Sequence, residues 1–251
     1  MADDSQFAEV RDALIALGGG YLRNPTREDR VTCSVCTTPA AGYVRCHTCH
    51  AHNSAAPGRL ADAVAPLTYA VAQRQSGYVM RGYKAQPPVQ EHVSVVTLLI
   101  FMGIALHSRC AGTLVGAPIT HWATVPSLPR KPGNHPLGTL LRSFALPWPE
   151  ATLTAAERVS DARALSDQHF GVDRPLPPAS SVLLIDDTWT TGGHAQSAVM
   201  ALRASGASHV SVMVAARWLV PSFGDTSQFL RQRANTDYNV LVCPWTGRDC
   251  P

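Results

Sequence analysis

Two adjacent carboxylates stand directly after a run of four apolar residues in the second half of the chain. The run covers 182–185, and Asp186 and Asp187 follow it. An unbroken apolar run of this kind is typical of a buried parallel strand. A turn rich in hydroxyl groups and glycine comes next, at 190–193, and ligands of parallel sheets bind beyond the carboxyl ends of the strands. The arrangement predicts a sugar-phosphate site in which the carboxylates bind ribose hydroxyls.

The turn itself has the composition of an anion-binding loop. At the start of the helix that follows, free backbone N–H groups and the helix dipole favour a phosphate. Thr190 and Thr191 supply hydroxyl donors, and Gly192 and Gly193 let the backbone approach without a clashing Cβ. No lysine follows the glycines as in a Walker A loop, and the chain contains no G-x-G-x-x-G. The simpler alternative is a strand that ends in two solvated aspartates before an ordinary turn.

Two Cys-x-x-Cys pairs near the N-terminus have the spacing of a metal site. They are Cys33 with Cys36 and Cys46 with Cys49, separated by nine residues. Each pair directs two thiolates at one centre, so together they complete a tetrahedral zinc site whose four positions are all filled by protein. Such a structural site supplies on the order of 10 kcal/mol to folding. The segment 27–57 needs it, because it lacks long apolar runs.

Composition and charge limit the classes of protein that this chain represents. The 251 residues are 45% apolar, with a formal net charge of +3, so bulk charge gives nucleic-acid binding no support. The chain opens Met-Ala-Asp-Asp, without a signal-peptide pattern, which favours metal ligands or free thiols over disulfides for its seven cysteines. The longest apolar stretch, 93–106, is predicted to be a buried helix too short to cross a bilayer. We expect a cytoplasmic protein that does not enter a membrane.

The pattern of elements predicts an α/β protein. Strands and helices alternate in the second half with short connections, as in right-handed parallel β-α-β units. The predicted strands are 119–125, 181–185 and 210–215, and the predicted helices are 4–17, 89–109, 134–146, 154–169 and 193–205.

Segment 185–194 resembles the PRPP-binding motif of type I phosphoribosyltransferases. More widely, residues 33–217 resemble the ComF family, which places a four-cysteine zinc module ahead of such a domain. The stretch 125–134 is similar to the family's Val-Pro…Pro-Arg…Gly-Asn segment, and Tyr83-Lys84 lies near the position of a lysine-containing helix end in the family. Thr188, Trp189 and His194 depart from the residues that the family usually carries there.

The resemblance implies a fold and a division of the chain. The fold is the type I phosphoribosyltransferase fold, a parallel sheet flanked by helices, preceded by a small zinc-ribbon-like module. The implied division is an N-terminal helix at 1–26, the zinc-binding module at 27–64, the phosphoribosyltransferase-like domain at 65–220 and a C-terminal extension at 221–251.

The resemblance also assigns roles to site residues. Asp186 and Asp187 are the implied catalytic pair, which binds the ribose 2′- and 3′-hydroxyls directly or through Mg²⁺. Residues 190–194 hold the 5′-phosphate, and 125–127 form the pyrophosphate loop, with Arg130 or Lys131 facing the leaving group. The full implied set for PRPP is Thr188, Thr190, Thr191, Gly192, Gly193, His194, Val125, Pro126, Ser127, Arg130 and Lys131.

The implied reaction is a Mg²⁺-dependent transfer of ribose 5-phosphate from PRPP to an unidentified nitrogenous acceptor, with release of pyrophosphate. Cationic groups would stabilise the leaving phosphates, and nearby carboxylates would tolerate an oxocarbenium-like sugar. Two alternatives stay open. Trp189, His194 and the short segment after Pro126 favour a non-catalytic PRPP or nucleotide sensor. The zinc module favours a nucleic-acid-binding accessory in DNA uptake or repair. Homo-oligomerisation is also left open.

Three further cysteines lie outside these motifs. Cys243 and Cys250 each precede a proline and flank a Trp-Thr-Gly turn. A second metal site, a labile disulfide and a docked tail are all consistent with this pattern. Cys110 follows an apolar stretch and is predicted to be a buried thiol.

Overall fold

The computed structural model describes residues 7–128 and 135–251. Its centre is a four-stranded parallel sheet, and a separate antiparallel pair lies near it. The strands in chain order are β1 (Ala63–Val71), β2 (His121–Thr124), β3 (Leu153–Ala155), β4 (Phe170–Val172), β5 (Ser180–Trp189) and β6 (Ala207–Leu219). The order in the parallel sheet is β1-β6-β5-β2, and β3 pairs with β4.

Helices flank the parallel sheet on both faces. They are α1 (Ala8–Gly18), α2 (His47–Ala55), α3 (Gln75–Gly82), α4 (Gln90–Val115), α5 (Pro136–Ser143), α6 (Gly193–Ala204) and α7 (Thr226–Gln232). The prediction of an α/β protein is therefore confirmed. A parallel sheet is flanked by helices, and a four-cysteine cluster lies in the N-terminal part of the chain.

The central strand β5 is apolar throughout because both of its faces are covered. Leu183 and Ile185 pack with residues of α3 and α4 in one core cluster. Val182 and Leu184 point the other way and pack with residues of α6 and with the cysteine module. Alternate side chains of a strand lie on opposite faces, so a strand between two layers reads as one continuous apolar run.

Helix α4 is the longest element and forms much of the core. It runs on to Val115, six residues beyond its predicted end, and stops at Gly116 with φ +71°, a left-handed cap that glycine adopts without strain. By length and composition alone this helix could cross a membrane, so the expectation that it is too short was wrong. It is nevertheless 56% buried over its most apolar window. It packs against α1, α3 and β1, which confirms a core helix.

The segment 154–169 is not the helix that its sequence predicts. It forms the end of β3, a long connection and the approach to β4. Within the connection, the Asp161 carboxylate accepts a hydrogen bond from the backbone N–H of Arg163, and Ser166 Oγ accepts one from Gln168 N–H. Such side-chain bonds to nearby backbone compete with helix formation, which explains the failure of the helical pattern here.

Candidate functional site

The two aspartates lie near the carboxyl end of β5 and are both buried, Asp186 at 5% and Asp187 at 7% exposure. Asp187 Oδ2 accepts hydrogen bonds from Tyr83 Oη at 2.6 Å and from Lys84 Nζ at 2.7 Å. These two donors directly follow α3. Asp186 Oδ1 accepts the backbone N–H of Asp187 at 2.8 Å. The two carboxyl groups therefore differ in their hydrogen-bond donors. Asp187 has an ammonium group and a phenol, whereas Asp186 has a single backbone amide.

This difference separates the acidities of the pair. Burial, together with the adjacent Asp187, raises the pKa of Asp186 to about 8. Burial also acts to raise the pKa of Asp187. The charge of Lys84 and the hydrogen bonds from Lys84 and Tyr83 outweigh it and hold that pKa below its ordinary value. The two pKa values shift in opposite directions, so near neutral pH the negative charge of the pair lies mainly on Asp187.

The turn after β5 is shaped by two glycines with no room for a side chain. Gly192 precedes α6 with φ +85°, and a Cβ on it would lie 2.3 Å from the ring of Trp189. A Cβ on Gly193 would lie 2.1 Å from the backbone oxygen of Arg163. The first N–H groups of α6 have no carbonyl partner in their own helix and open into this turn. The backbone geometry therefore fits the predicted anion-binding loop.

Arg217, near the end of β6, stabilises the turn after β5 through hydrogen bonds to its backbone. Its guanidinium Nη1 donates to the carbonyl oxygens of Trp189 at 2.8 Å, Thr190 at 2.7 Å and Trp218 at 2.6 Å. The side chain is buried, so these bonds are made away from competing water. The sequence analysis did not select Arg217, because nothing in the order of residues places it beside residue 190.

Trp189, a departure from the family pattern, belongs to the core. It is 1% exposed and packs with the residues of β5 and α6 on that face of the sheet. Its ring lies against Gly192, so the indole supports the turn. Within the described part of the chain its Nε1 has no hydrogen-bond partner.

His194 is neutral in this setting. Burial is the main cause that lowers the pKa of His194 to about 4. The ring packs against Phe170 with centroids 5.1 Å apart, and among the described residues Nε2 is buried without a hydrogen-bond partner. A neutral imidazole at this position offers one N–H to a phosphate oxygen, and it does not contribute a positive charge.

A cavity of about 190 Å³ lies between Asp186 and the turn. Six of the site residues that the sequence predicts for PRPP line it, whereas Asp187, Gly193, Val125, Pro126 and Ser127 do not. Its lining includes Asp186, Thr188, Thr190, Thr191, Gly192, His194, Leu128, Arg163 and Trp189.

The predicted pyrophosphate loop, 125–127, does not line this cavity, although the next residue, Leu128, does. Val125 is buried, and its N–H points to the Ile185 carbonyl at the sheet edge, so it is part of the scaffold. Pro126 and Ser127 are half-buried, and Leu128 lines the cavity. The predicted cations Arg130 and Lys131 lie outside the described residues.

The connection between β3 and β4 forms another wall, which the sequence analysis assigned to a helix. Thr191 Oγ1 donates to the Arg163 carbonyl at 3.4 Å, and Ser166 N–H donates to Ser197 Oγ at 2.9 Å. Ser197 also bonds the Gly193 carbonyl, one turn earlier on α6. The position of Ser197 on α6, four residues after Gly193, does not by itself reveal these contacts in the sequence.

Substituting Gly192 by alanine is expected to destabilise the protein more than the same change at Gly116. Both glycines have positive φ, +85° and +71°, and a left-handed alanine costs about 1–2 kcal/mol at either. Only at Gly192 does the new Cβ also meet an indole ring, which adds roughly 1–3 kcal/mol of overpacking. Denaturant unfolding of both variants measures the difference. Equal losses would mean that the indole moves aside freely.

The four cysteines of the N-terminal module converge on one point. Their sulfur atoms all lie within 4.8 Å of one another, and Cys36 Sγ and Cys46 Sγ are 3.9 Å apart. In a tetrahedral site with Zn–S bonds of about 2.3 Å, neighbouring sulfurs are roughly 3.8 Å apart. Cys33, Cys36 and Cys49 are buried, and Cys46 is half-buried. The donor set and its spacing fit a zinc ion.

Comparisons with known proteins give structural neighbours only. No protein-family model matches the chain, and no curated protein matches it. An adenine phosphoribosyltransferase structure aligns over 53% of this chain and 84% of its own, with 16% identity and a TM-score of 0.35. A purine phosphoribosyltransferase from Pyrococcus horikoshii Ot3 aligns over 50% and 89%, with 13% identity and a TM-score of 0.28. Both TM-scores are below 0.5, so no residue role is transferred from these proteins.

Proposed function

We propose that this chain is a ComF-like phosphoribosyltransferase that binds PRPP with Mg²⁺. One observation carries the proposal. The buried carboxyl group of Asp186, with Asp187 next to it in the chain, and the glycine turn before α6 line one small cavity near the carboxyl end of a central parallel strand. A carboxyl group for ribose hydroxyls and a helix start for a phosphate thereby share the same space.

In this proposal the 5′-phosphate occupies the turn. It accepts hydrogen bonds from the first N–H groups of α6, from the hydroxyls of Thr190 and Thr191, and from neutral His194. Asp186 reaches the cavity and accepts from the ribose hydroxyls once it has lost its proton. Carboxylate oxygens are also the ligands that Mg²⁺ prefers, and a bound Mg²⁺ would neutralise charge on the pyrophosphate as it leaves.

The chain supplies the remaining chemistry through charge and position. Asp187, held ionised by Lys84, keeps negative charge near the sugar as the bond to pyrophosphate breaks. Arg130 and Lys131 are the proposed partners of the leaving group. The acceptor is a nitrogen nucleophile that attacks the anomeric carbon, and PRPP and this acceptor are the expected small-molecule partners.

The four-cysteine module is proposed to hold a structural zinc ion, since all four ligand positions are filled by protein. A reducing, cytoplasmic location belongs to the same proposal. Thiols stay reduced in the cytoplasm and so remain free to bind a metal.

Binding without turnover is the second candidate function. The observation that favours it is the pair of bonds from Tyr83 and Lys84, which already occupy one oxygen of Asp187. A carboxylate that stays engaged in this way is less available to a metal or a ribose hydroxyl. A protein of this kind would report PRPP concentration and would not consume PRPP.

Isothermal titration with PRPP and MgCl₂ tests the binding site. Thr191→Ala is expected to weaken binding about tenfold, the value of one hydrogen bond of about 1.5 kcal/mol to a charged group. Thr113→Ala is the matched control, because Thr113 is exposed on α4 and bonds only its own helix. Absence of heat at millimolar PRPP, or equal affinities for the two variants, would reject this site.

Pyrophosphate release then separates the two candidate functions. Incubation of the protein with PRPP, Mg²⁺ and a panel of nucleobases and other nitrogen nucleophiles should give release with at least one acceptor if the chain is a transferase. Binding that persists with no release for any acceptor would support the sensor.

A further inference from the structure

The structure brings Cys243 and Cys250 of the C-terminal segment to the side of α4, beside His107 and Cys110. The four possible ligand atoms all lie within 4.8 Å of one another. His107 and Cys110 are three residues apart on the helix, so both side chains project from one face. Cys110 was predicted to be a buried thiol, and it is buried. It is also one member of a cluster that joins residues 107–110 to residues 243–250.

The spacing within the cluster suits tetrahedral coordination. Cys250 Sγ lies 3.4 Å from His107 Nδ1. In a zinc site with Zn–S of about 2.3 Å and Zn–N of about 2.1 Å, neighbouring sulfur and nitrogen atoms are roughly 3.6–3.8 Å apart, close to this distance. His107, Cys110 and Cys243 are buried, and Cys250 is exposed. The cluster is therefore surrounded by protein on one side and open to an incoming ion on the other.

The histidine is oriented as a metal ligand. Its Nε2 lies 2.8 Å from the backbone oxygen of Val240. A carbonyl only accepts, so Nε2 carries the proton and donates it. The lone pair is then on Nδ1, the nitrogen that faces Cys250. A ligating histidine is typically fixed in this way, with its second ring nitrogen bonded to a carbonyl or carboxylate. The backbone oxygen of His107 also accepts from Trp245 Nε1 at 2.8 Å.

The segment around Cys243 is folded into a tight turn. Cys243 N–H donates to the Arg248 carbonyl at 2.7 Å, and Gly247 N–H donates to the Cys243 carbonyl at 2.8 Å. Gly247 has φ +76°, which lets the chain reverse here. This turn fixes Cys243 beside His107 and Cys110.

We propose that His107, Cys110, Cys243 and Cys250 form a second zinc site. Three thiols and one imidazole are a donor set that zinc prefers, and all four positions come from protein, so the site is structural. A disulfide is a poorer account of the cluster. It would use two sulfurs and leave the third thiol and the oriented histidine without a role.

The role of this site is to fasten the C-terminal segment to the body of the protein. Arg27 Nε donates to the Pro244 carbonyl at 2.9 Å, and Arg27 Nη1 donates to the Ser34 carbonyl of the four-cysteine module at 3.4 Å. Asn24 Nδ2 donates to the Asn239 carbonyl at 2.9 Å. The segment fixed by the second zinc thereby helps to hold residues 24–34, which lead into the first cysteine cluster.

Zinc counting on the full chain tests the proposal. The protein, purified under reducing conditions and dialysed against a chelator of moderate strength, is expected to retain two zinc ions per chain by elemental mass spectrometry. Cys250→Ser should retain one, and Asp249→Ser, the adjacent exposed position, should retain two. Cys250→His, which restores a ligand, should return the count to two. Cys250 is exposed, so these variants are not expected to disturb the core.

Other outcomes would overturn the second site. They are a single zinc ion in the unmodified chain, or two zinc ions that persist in Cys250→Ser. A protein mass that is two hydrogens below the mass of the fully reduced chain, and that returns to it on reduction, would show that two of the cysteines form a disulfide. A separate experiment uses Cys46→Ser, which lacks a ligand of the first cluster and so keeps only the second zinc ion. Removing that ion should speed amide hydrogen exchange in residues 238–251. Unchanged exchange there would reject the fastening role. These results do not depend on PRPP, so the site can fail or stand apart from the proposed transferase.

Discussion

Asp186→Asn is expected to make the ligand-free protein more stable and to abolish PRPP binding, whereas Asp187→Asn should lower both. Asp186 is buried with one amide donor, and its pKa is raised to about 8 from 3.8. A carboxyl group with a raised pKa in the folded state is most favourable while protonated. Its ionisation opposes folding progressively as pH rises from about 4 toward 8. Asparagine keeps the accepting oxygen and cannot ionise.

Asp187→Asn should change the free energy of unfolding in the opposite direction and destabilise the protein. The pKa of Asp187 is lowered by Lys84 and Tyr83 despite burial. Its contribution to stability is present above the unfolded pKa and is lost as pH falls through the folded value. Asp187→Asn removes the charged acceptor of two donors, at a cost of about 1–3 kcal/mol. The pair is a matched control, because both changes are isosteric and adjacent.

Denaturant unfolding at pH 5 and pH 8 measures the first part of this prediction. Asp186→Asn should gain on the order of 4 kcal/mol more over the unmodified protein at pH 8 than at pH 5, since each pH unit between the unfolded and folded pKa contributes about 1.4 kcal/mol. Titration with PRPP and Mg²⁺ measures the second part, and both variants should show no binding. Normal PRPP affinity in either variant would remove that carboxylate from the site. Loss of stability in Asp186→Asn at pH 8 would mean that the ionised carboxylate has a partner in the folded protein.

The sequence was most informative where local chemistry and position coincide. The strand at 181–185 and the helix at 193–205 were predicted from an apolar run and a pair of glycines, and β5 and α6 occur there. The strand extends further, however, to Trp189. It does so because residues up to Trp189 pair with β6, the last of them opposite Arg217. Aspartate is depleted in strands, so Asp186 and Asp187 hide the continuation of the strand from a local reading of the sequence.

Contacts between distant segments account for what was missed. Arg217 reaches the turn from the end of β6, and Arg163 reaches it from the connection between β3 and β4. His107 faces Cys250 across 143 positions of the chain. Local periodicity carries no information on such pairings. The two Cys-x-x-Cys pairs were recognisable because their spacing alone brings two ligands together twice.

Removing the metal from the four-cysteine module is expected to have the largest effect on stability. Apart from the cysteines, the module contributes only small apolar side chains to this core cluster, namely Val35, Ala40, Ala61 and Val64. Zinc supplies on the order of 10 kcal/mol to a site of this type. Cys36→Ser removes a ligand that is 1% exposed, and should therefore unfold the module. Thr48→Ala, between the two cysteines of the second pair, is the matched control and should keep its zinc.

The loss should spread beyond the module through Tyr69 on β1. Its hydroxyl donates to the Thr37 carbonyl within the module at 2.9 Å and accepts the Thr26 N–H at 3.0 Å. Unfolding of the module leaves this buried hydroxyl without its acceptor, at a cost of about 1–3 kcal/mol, and uncovers the β1 face on which the module rests.

We therefore expect Cys36→Ser, or full chelation, to lower Tm by at least about 10 °C, since each kcal/mol shifts Tm by about 2–4 °C at this chain length. Thermal unfolding with and without added zinc measures the shift. Full chelation of Cys250→Ser removes only the metal of the first cluster, so the shift in Tm measured in that variant belongs to the four-cysteine module. In Tyr69→Phe the hydroxyl is absent from the start, so chelation should cost less there. An equal loss in Tyr69→Phe would show that the module acts on β1 by covering it, and an unchanged Tm after complete zinc removal would contradict a structural role for the metal.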